Sequence, residues 1–189
     1  LLVAHPAAGF ATVAELRAAA AARPGMITAA TGGLGSSQHL SAVLFERAAG
    51  VRFEIIHYAR GFAQVVPDLL ENRVNLTFGD PVALLPMVRE GRLRALAVSS
   101  EQRSHLLPEV PTLAELGLPG ASSLTWYGLF VAAGTVPAIV ARLGEAAVSE
   151  PVLTAIDRLA VDAGAADQAN LAAVRAERAA AAVAWFAAH

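Results

Sequence analysis

Thr31-Gly32-Gly33-Leu34-Gly35-Ser36-Ser37-Gln38-His39-Leu40, the stretch TGGLGSSQHL, stands between an apolar run and a helical pattern. Ile27 to Ala30, just before it, reads as a short buried strand of a parallel sheet. After it, Leu40, Val43, Leu44 and Ala48 fall on one face of a helix that starts near Ser36 or Ser37, with Gly50 placed as its C-cap. Strand, glycine-rich turn and helix in that order are the unit of an open α/β sheet, and ligands of such sheets bind outside the carboxyl ends of the strands.

The same alternation continues in both directions. Upstream, Leu1 to Ala4 is a short apolar strand, and Thr12-Val13-Ala14-Glu15 is a capping box opening an alanine-rich helix that stops at Pro24 and Gly25. Downstream, Phe53 to His57 reads as a strand and Phe62, Val65, Val66, Leu69 and Leu70 as a helical face. Val74 to Phe78 is a strand, Val82 to Glu90 a helix ended by Gly91, and Leu93 to Val98 another strand. Strands separated by helices imply right-handed crossovers and a largely parallel sheet, one α/β unit extending to about residue 120. A second capping box, Thr112-Leu113-Ala114-Glu115, lies in the turn-rich segment Ser99 to Gly120. An extended run, Ser123 to Ala132, follows, then a helix start at Thr135 and Pro137 and alanine-rich helices to the end. That tail has too few strands to complete a sheet of its own.

Composition narrows the function. The 189 residues are 56% hydrophobic, enough for a sizeable core, and the net charge is -2. All 14 basic residues are arginine, in no run or stripe, which argues against a nucleic-acid surface or a basic membrane-binding helix. Without cysteine there is no disulfide, thiolate metal site or cysteine nucleophile. The longest apolar stretch, Leu129 to Ala141, is broken by Gly134 and Pro137, short of a membrane span. The chain opens at Leu1 without methionine and reads as a processed or truncated product, so the lack of a signal peptide says nothing about export. There is no internal repeat, Walker-type loop or dinucleotide fingerprint, and nothing calls for a cofactor.

Within the central stretch, Gly32, Gly33 and Gly35 let backbone approach a ligand closely. Thr31, Ser36 and Ser37 add hydroxyls, and the N–H groups at the start of the helix suit an anion. A tight turn with a serine cap fits the pattern equally well. His39, three residues after Ser36, admits a second reading, a hydrolase or transferase with Ser36 or Ser37 as nucleophile and His39 as base. No orienting carboxylate or nucleophile-elbow motif accompanies it, and a structural histidine fits better. The histidines at 5, 39, 57, 105 and 189 have no metal-ligand spacing. Arg60, after the strand ending at His57, can pair with a carboxylate, although exposed arginines are usually only solvated. Asp80, before Pro81, can cap the following helix, the better reading, or accept a hydrogen bond from a ligand amine or hydroxyl. Trp126 and Tyr127 line a cleft or, more simply, fill a core.

These tracts taken in order resemble the TctC or Bug receptors of tripartite tricarboxylate transporters. The resemblance rests on HPAAGFATVAEL (5–16), TGGLGSSQHLSAVLFERAAGV (31–51), PDLLENRVNLTF (67–78), GRLRALAVSSEQRSHLLPEVPTLAELGLPG (91–120) and WYGLFVAAGTVPAIVARL (126–143). It implies an α/β, periplasmic-binding-protein-like fold of type II. Residues 1–120 would be one near-complete ligand-binding lobe, the second of the family. Residues 121–189 would supply the crossover strand, Trp126 to Phe130, and the C-terminal helices of an incomplete first lobe. It also implies a periplasmic, non-enzymatic receptor that holds a di- or tricarboxylate or an amino acid and presents it to a membrane permease. In that picture Thr31 to Ser37 form the gripping loop of this lobe. The family's export signal and opening strand and loop, which carry the first-lobe grip, have no counterpart here, so weak or no affinity is expected of this chain alone. An apolar face left uncovered around Ser123 to Ala132 and the last helices would invite a homo-dimer. Three positions depart from the family pattern: Ala59-Arg60-Gly61-Phe62 replaces a tyrosine, a basic residue and paired glycines. Gly79 stands where an aspartate is frequent, with Asp80 one residue on, and Ala83 replaces a frequent serine.

Overall fold

The computed structural model describes residues 1–125 and 130–147. The chain divides into two units, Leu1–Trp126 and Tyr127–His189. Trp126, Tyr127, most of the expected crossover Trp126 to Phe130 and the helices expected after residue 147 lie outside the described residues. In the second unit the described helix is α5 (Pro137–Ala147), opened by a proline at its first turn.

The first unit holds five strands, β1 (Leu2–Ala4), β2 (Thr28–Thr31), β3 (Glu54–His57), β4 (Leu76–Phe78) and β5 (Arg94–Ala97). Between them lie α1 (Val13–Ala22), α2 (Ser37–Ala49), α3 (Val65–Leu70) and α4 (Pro81–Arg89). The strands form one sheet in the order β3-β2-β4-β1-β5. β2 runs parallel to β3, pairing Thr31 with His57, and parallel to β4, pairing Ala30 with Thr77. β1 runs antiparallel to both its neighbours, pairing Leu2 with Phe78 and with Ala97. The sheet is therefore mixed, where the alternation of elements suggested a largely parallel one. The reason is physical: Leu2, Val3 and Ala4 are all buried, and a short strand covered on both faces has no side-chain pattern that encodes its direction.

Strands buried on both faces need a layer on each. On one side α1 contributes Val13, Leu16 and Ala20 and α2 contributes Ala42 and Phe45, packing with Leu2, Leu76 and Phe78 of the sheet. Phe45 is fully buried; its ring stacks on Phe53 at 5.6 Å and meets Phe78 at 6.0 Å. Val65 and Leu69 of α3 and Leu84 and Leu85 of α4 are also fully buried, outside that cluster, and supply the second layer.

Local signals behave as their chemistry requires. Thr12 Oγ1 accepts the Glu15 N–H, while Glu15 reaches past the cap to the Ala11 N–H. Gly50 ends α2 with φ 67°, its N–H returning to Glu46 O. The Thr112–Glu115 box closes reciprocally at 3.0 and 2.9 Å, yet it braces a turn, with Arg103 Nε on the same carboxylate.

Candidate functional site

Because β2, β3 and β4 are parallel, their carboxyl ends, Thr31, His57 and Phe78, share one edge of the sheet. Three loops leave from that edge: the glycine-rich loop into α2, the turn 58–62, and Gly79-Asp80 into α4. Phe62 joins them. A side chain at Gly32 would come within 3.0 Å of the Phe62 N, and one at Gly79 within 2.5 Å of Phe62 Cζ. The structure thus brings the stretches bearing Thr31 to Ser37, Arg60 and Asp80 to the same edge, as the order of elements implies.

The glycine-rich loop turns through left-handed backbone at Gly33 (φ 135°) and Gly35 (φ 76°), conformations that favour glycine. Ser36 is extended and caps α2, its Oγ accepting the His39 N–H at 3.3 Å. A helix leaves four N–H groups without intrahelical partners. Here the Ser36 N–H goes to Gly33 O at 3.2 Å and the His39 N–H to Ser36 Oγ. That leaves the Ser37 and Gln38 amides, at half-buried residues, as the groups the protein does not engage among the described residues. The mouth of the helix is half committed and half open. The positive end of a 13-residue helix adds to the attraction for an anion.

Of the other residues singled out in the sequence, Thr31 is fully buried, its Oγ1 2.7 Å from His57 Nδ1; its hydroxyl holds β2 to the end of β3. Arg60 is exposed, and its backbone N–H is held by Gln64 Oε1 at 3.2 Å. Asp80 is the N-cap of α4, Oδ1 accepting the Val82 N–H at 3.0 Å. His39 does not face a serine hydroxyl: its Nδ1 accepts the Gly35 N–H at 3.0 Å, and its ring meets the exposed His57 ring edge-to-face at 4.7 Å. The geometry of a serine nucleophile with a histidine base is therefore not formed. Among the described residues no group of three or more His, Asp or Glu side chains could hold a metal ion, and no helix is long and apolar enough to cross a membrane.

Sequence reasoning passed over Gln38, whose contribution is a backbone amide and so leaves no mark in residue type. Tyr58, which follows the strand ending at His57 and is expected at the same edge, had no partner that the sequence could name. The Tyr58 N–H bonds Thr31 O at 3.0 Å, and its hydroxyl donates to Asp68 Oδ2 at 2.6 Å. Arg73 donates to the other oxygen of Asp68 at 2.6 Å and also pairs with Glu71. Burial and then the Asp68 contact push the Tyr58 phenol up to about 12. The Tyr58 and Arg73 hydrogen bonds hold the Asp68 carboxyl below its usual range. This network ties the turn that carries Arg60 to α3. An open groove of about 340 Å³, lined by Pro6, Val88, Leu93, Arg94, Glu109 and Val110, lies at the opposite edge, beside the amino end of β5.

Residues 1–178 match the tripartite tricarboxylate transporter family receptor, TctC. A Pseudomonas protein named for the tcbD-tcbE intergenic region is 39% identical over 135 residues, 71% of this chain and 40% of that protein. BugT of Bordetella pertussis is 37% identical over 143 residues, 76% of this chain and 44% of BugT. Among solved structures, a Rhodopseudomonas palustris protein with adipate superposes with a TM-score of 0.76 at 32% identity, covering 84% of this chain and 54% of that one. MatC from Rhodopseudomonas palustris with bound malate gives 0.76 at 26% identity, over 96% of this chain and 64% of MatC. The chain thus spans about two-fifths of the length of those two curated relatives. The fold is the mixed α/β architecture of periplasmic solute-binding proteins, and the family is one of receptors, not enzymes. On these matches the chain belongs to the TctC family of tripartite tricarboxylate transporter receptors.

Proposed function

We propose that this chain supplies one ligand-gripping lobe of a periplasmic solute-binding protein, which captures a small organic carboxylate and hands it to the membrane permease of a tripartite transporter. The observation that carries the reading is the pair of uncommitted amides, Ser37 and Gln38, at the positive end of α2 and at the carboxyl edge of the parallel strands. They would donate to one carboxylate, with the Ser36 and Ser37 hydroxyls beside them. Gly32, Gly33 and Gly35 add no side chain of their own to the loop, whose Leu34 is exposed. Arg60 is the nearby cation that would meet a second carboxylate, and Asp80 would accept from a ligand hydroxyl or amine. The adipate and malate of the relatives solved with ligand favour a di- or tricarboxylate over an amino acid.

Magnitude sets what to expect. Two amide hydrogen bonds to a charged group contribute about 1.5–3 kcal/mol each, which corresponds to roughly millimolar affinity. Tight capture then needs a second lobe closing over the ligand and shifting the population to a closed form. Calorimetric titration with mono-, di- and tricarboxylates tests the reading. Weak, competitive binding of the dicarboxylates supports it. Submicromolar binding by this chain would contradict the two-lobe clasp, and binding of none would contradict the carboxylate site.

A further inference from the structure

His39 closes the glycine-rich loop twice. Its backbone N–H takes Ser36 Oγ, and its ring Nδ1 takes the N–H of Gly35, four residues earlier. Gly35 sits at φ 76°, one residue before the cap, where no regular structure fixes the backbone. Acceptance at Nδ1 requires the lone pair there, so the ring carries its proton on Nε2. The ring is itself held from the side: His57, at the end of β3, meets it edge-to-face at 4.7 Å, and His57 Nδ1 is bonded to the buried Thr31 hydroxyl at the end of β2. One chain of contacts therefore runs Gly35–His39–His57–Thr31, from the loop tip back to the sheet edge.

Two things follow from this chain. The Gly35 amide is already engaged, so an incoming carboxylate has the Ser37 and Gln38 amides and not that one. And the turn that presents them is held by a side-chain acceptor on the helix it precedes. We infer that His39 is a positioning residue for the carboxylate site, its Nδ1 acting as the acceptor that fixes the Gly33–Gly35 turn while α2 offers its two open amides. The inference rests on the carboxylate reading above. It concerns the acceptor and not the bulk of the ring, and this separates it from a packing role.

Three variants of the full chain decide it. His39→Asn keeps an acceptor near the Nδ1 position, His39→Phe keeps a ring against His57 but no acceptor, and His39→Ala keeps neither. Adipate is the probe, followed by amide chemical shifts, with hydrogen exchange of the Gly35 amide recorded without ligand. In the parent chain the Gly35 amide is protected and His39 shows the Nε2–H tautomer in long-range nitrogen–proton spectra. His39→Phe and His39→Ala lose that protection and bind adipate about tenfold more weakly, the worth of about one hydrogen bond. His39→Asn stays near the parent in both. Parent-like binding by His39→Phe, or a Gly35 amide that exchanges freely in the parent, overturns the inference and leaves the carboxylate reading standing. A parent chain that binds no adipate, with Gly35 protection still following the acceptor, overturns the carboxylate reading instead, and the positioning role with it.

Discussion

Gly79 shows how much one missing atom can decide. Its backbone lies under the Phe62 ring and against Leu84, so that a Cβ would stand 2.5 Å from Phe62 Cζ and 2.6 Å from Leu84 Cδ1. Any side chain there must displace the residue that joins the three loops of the site. Gly79→Ala is accordingly expected to lower stability by about 1–3 kcal/mol, the usual cost of overpacking, with chemical denaturation as the check. Position 79 has no room for a side chain, and the next residue, Asp80, caps α4. Tyr58 makes a second prediction at this scale. Its folded phenol titrates near 12, against about 10 for an unfolded tyrosine. A group raised on folding stabilises the fold fully below its unfolded value and loses that contribution as the pH climbs through the folded one. Alkaline unfolding should therefore steepen between those limits, and Tyr58→Phe should remove that component. Phenolate absorbance against pH, alongside denaturation at each pH, measures both.

Among the elements, α2 bears both the core and the site. Its inward face buries Phe45 between Phe53 and Phe78, while its first turn offers the open amides. Phe45→Ala should cost about 3–5 kcal/mol by denaturant titration and broaden the amide signals of Ser37 and Gln38, because the helix that aims them loses its anchor. Ser41, buried on the same helix, donates to Ser37 O at 2.9 Å and pairs with Ser123 at 2.8 Å, so the first turn of α2 is also tied to the segment that leaves the unit. Much at this scale was legible in advance. Apolar spacing located α2, the capping motif located the start of α1, and glycine located the end of α2, because each records a local physical need. The direction of β1 was not legible, since three buried apolar residues pair equally well either way. The stretch from Phe53 to Leu70 shows the same limit: the strand and the helix were readable, but not the Tyr58–Asp68 bond, which depends on how α3 folds back over the turn. The glycine-rich stretch was readable as a loop at the sheet edge. Which of its amides remain open depends on the His39 ring, a contact that spacing alone suggests only as a serine–histidine neighbour.

At the scale of the whole molecule, the first unit is a sheet with helices on both faces and its chemistry gathered at one edge. The groove beside β5 lies at the other edge, so a carboxylate should perturb residues 33–38 and leave Val88, Leu93 and Val110 unmoved. The most direct test removes one open amide and nothing else that matters to the fold. Ser37 occupies the first position of α2 after an extended Ser36 (ψ 161°), where proline fits both the helix and the residue before it. Amide spectra of the parent, Ser37→Ala and Ser37→Pro are compared through an adipate titration. Shifts centred on Gly33 to Gln38 are expected in the parent and retained in Ser37→Ala, with binding about tenfold weaker in a folded Ser37→Pro. Equal binding by Ser37→Pro, or shifts that cluster at the β5 groove instead, would contradict the carboxylate site.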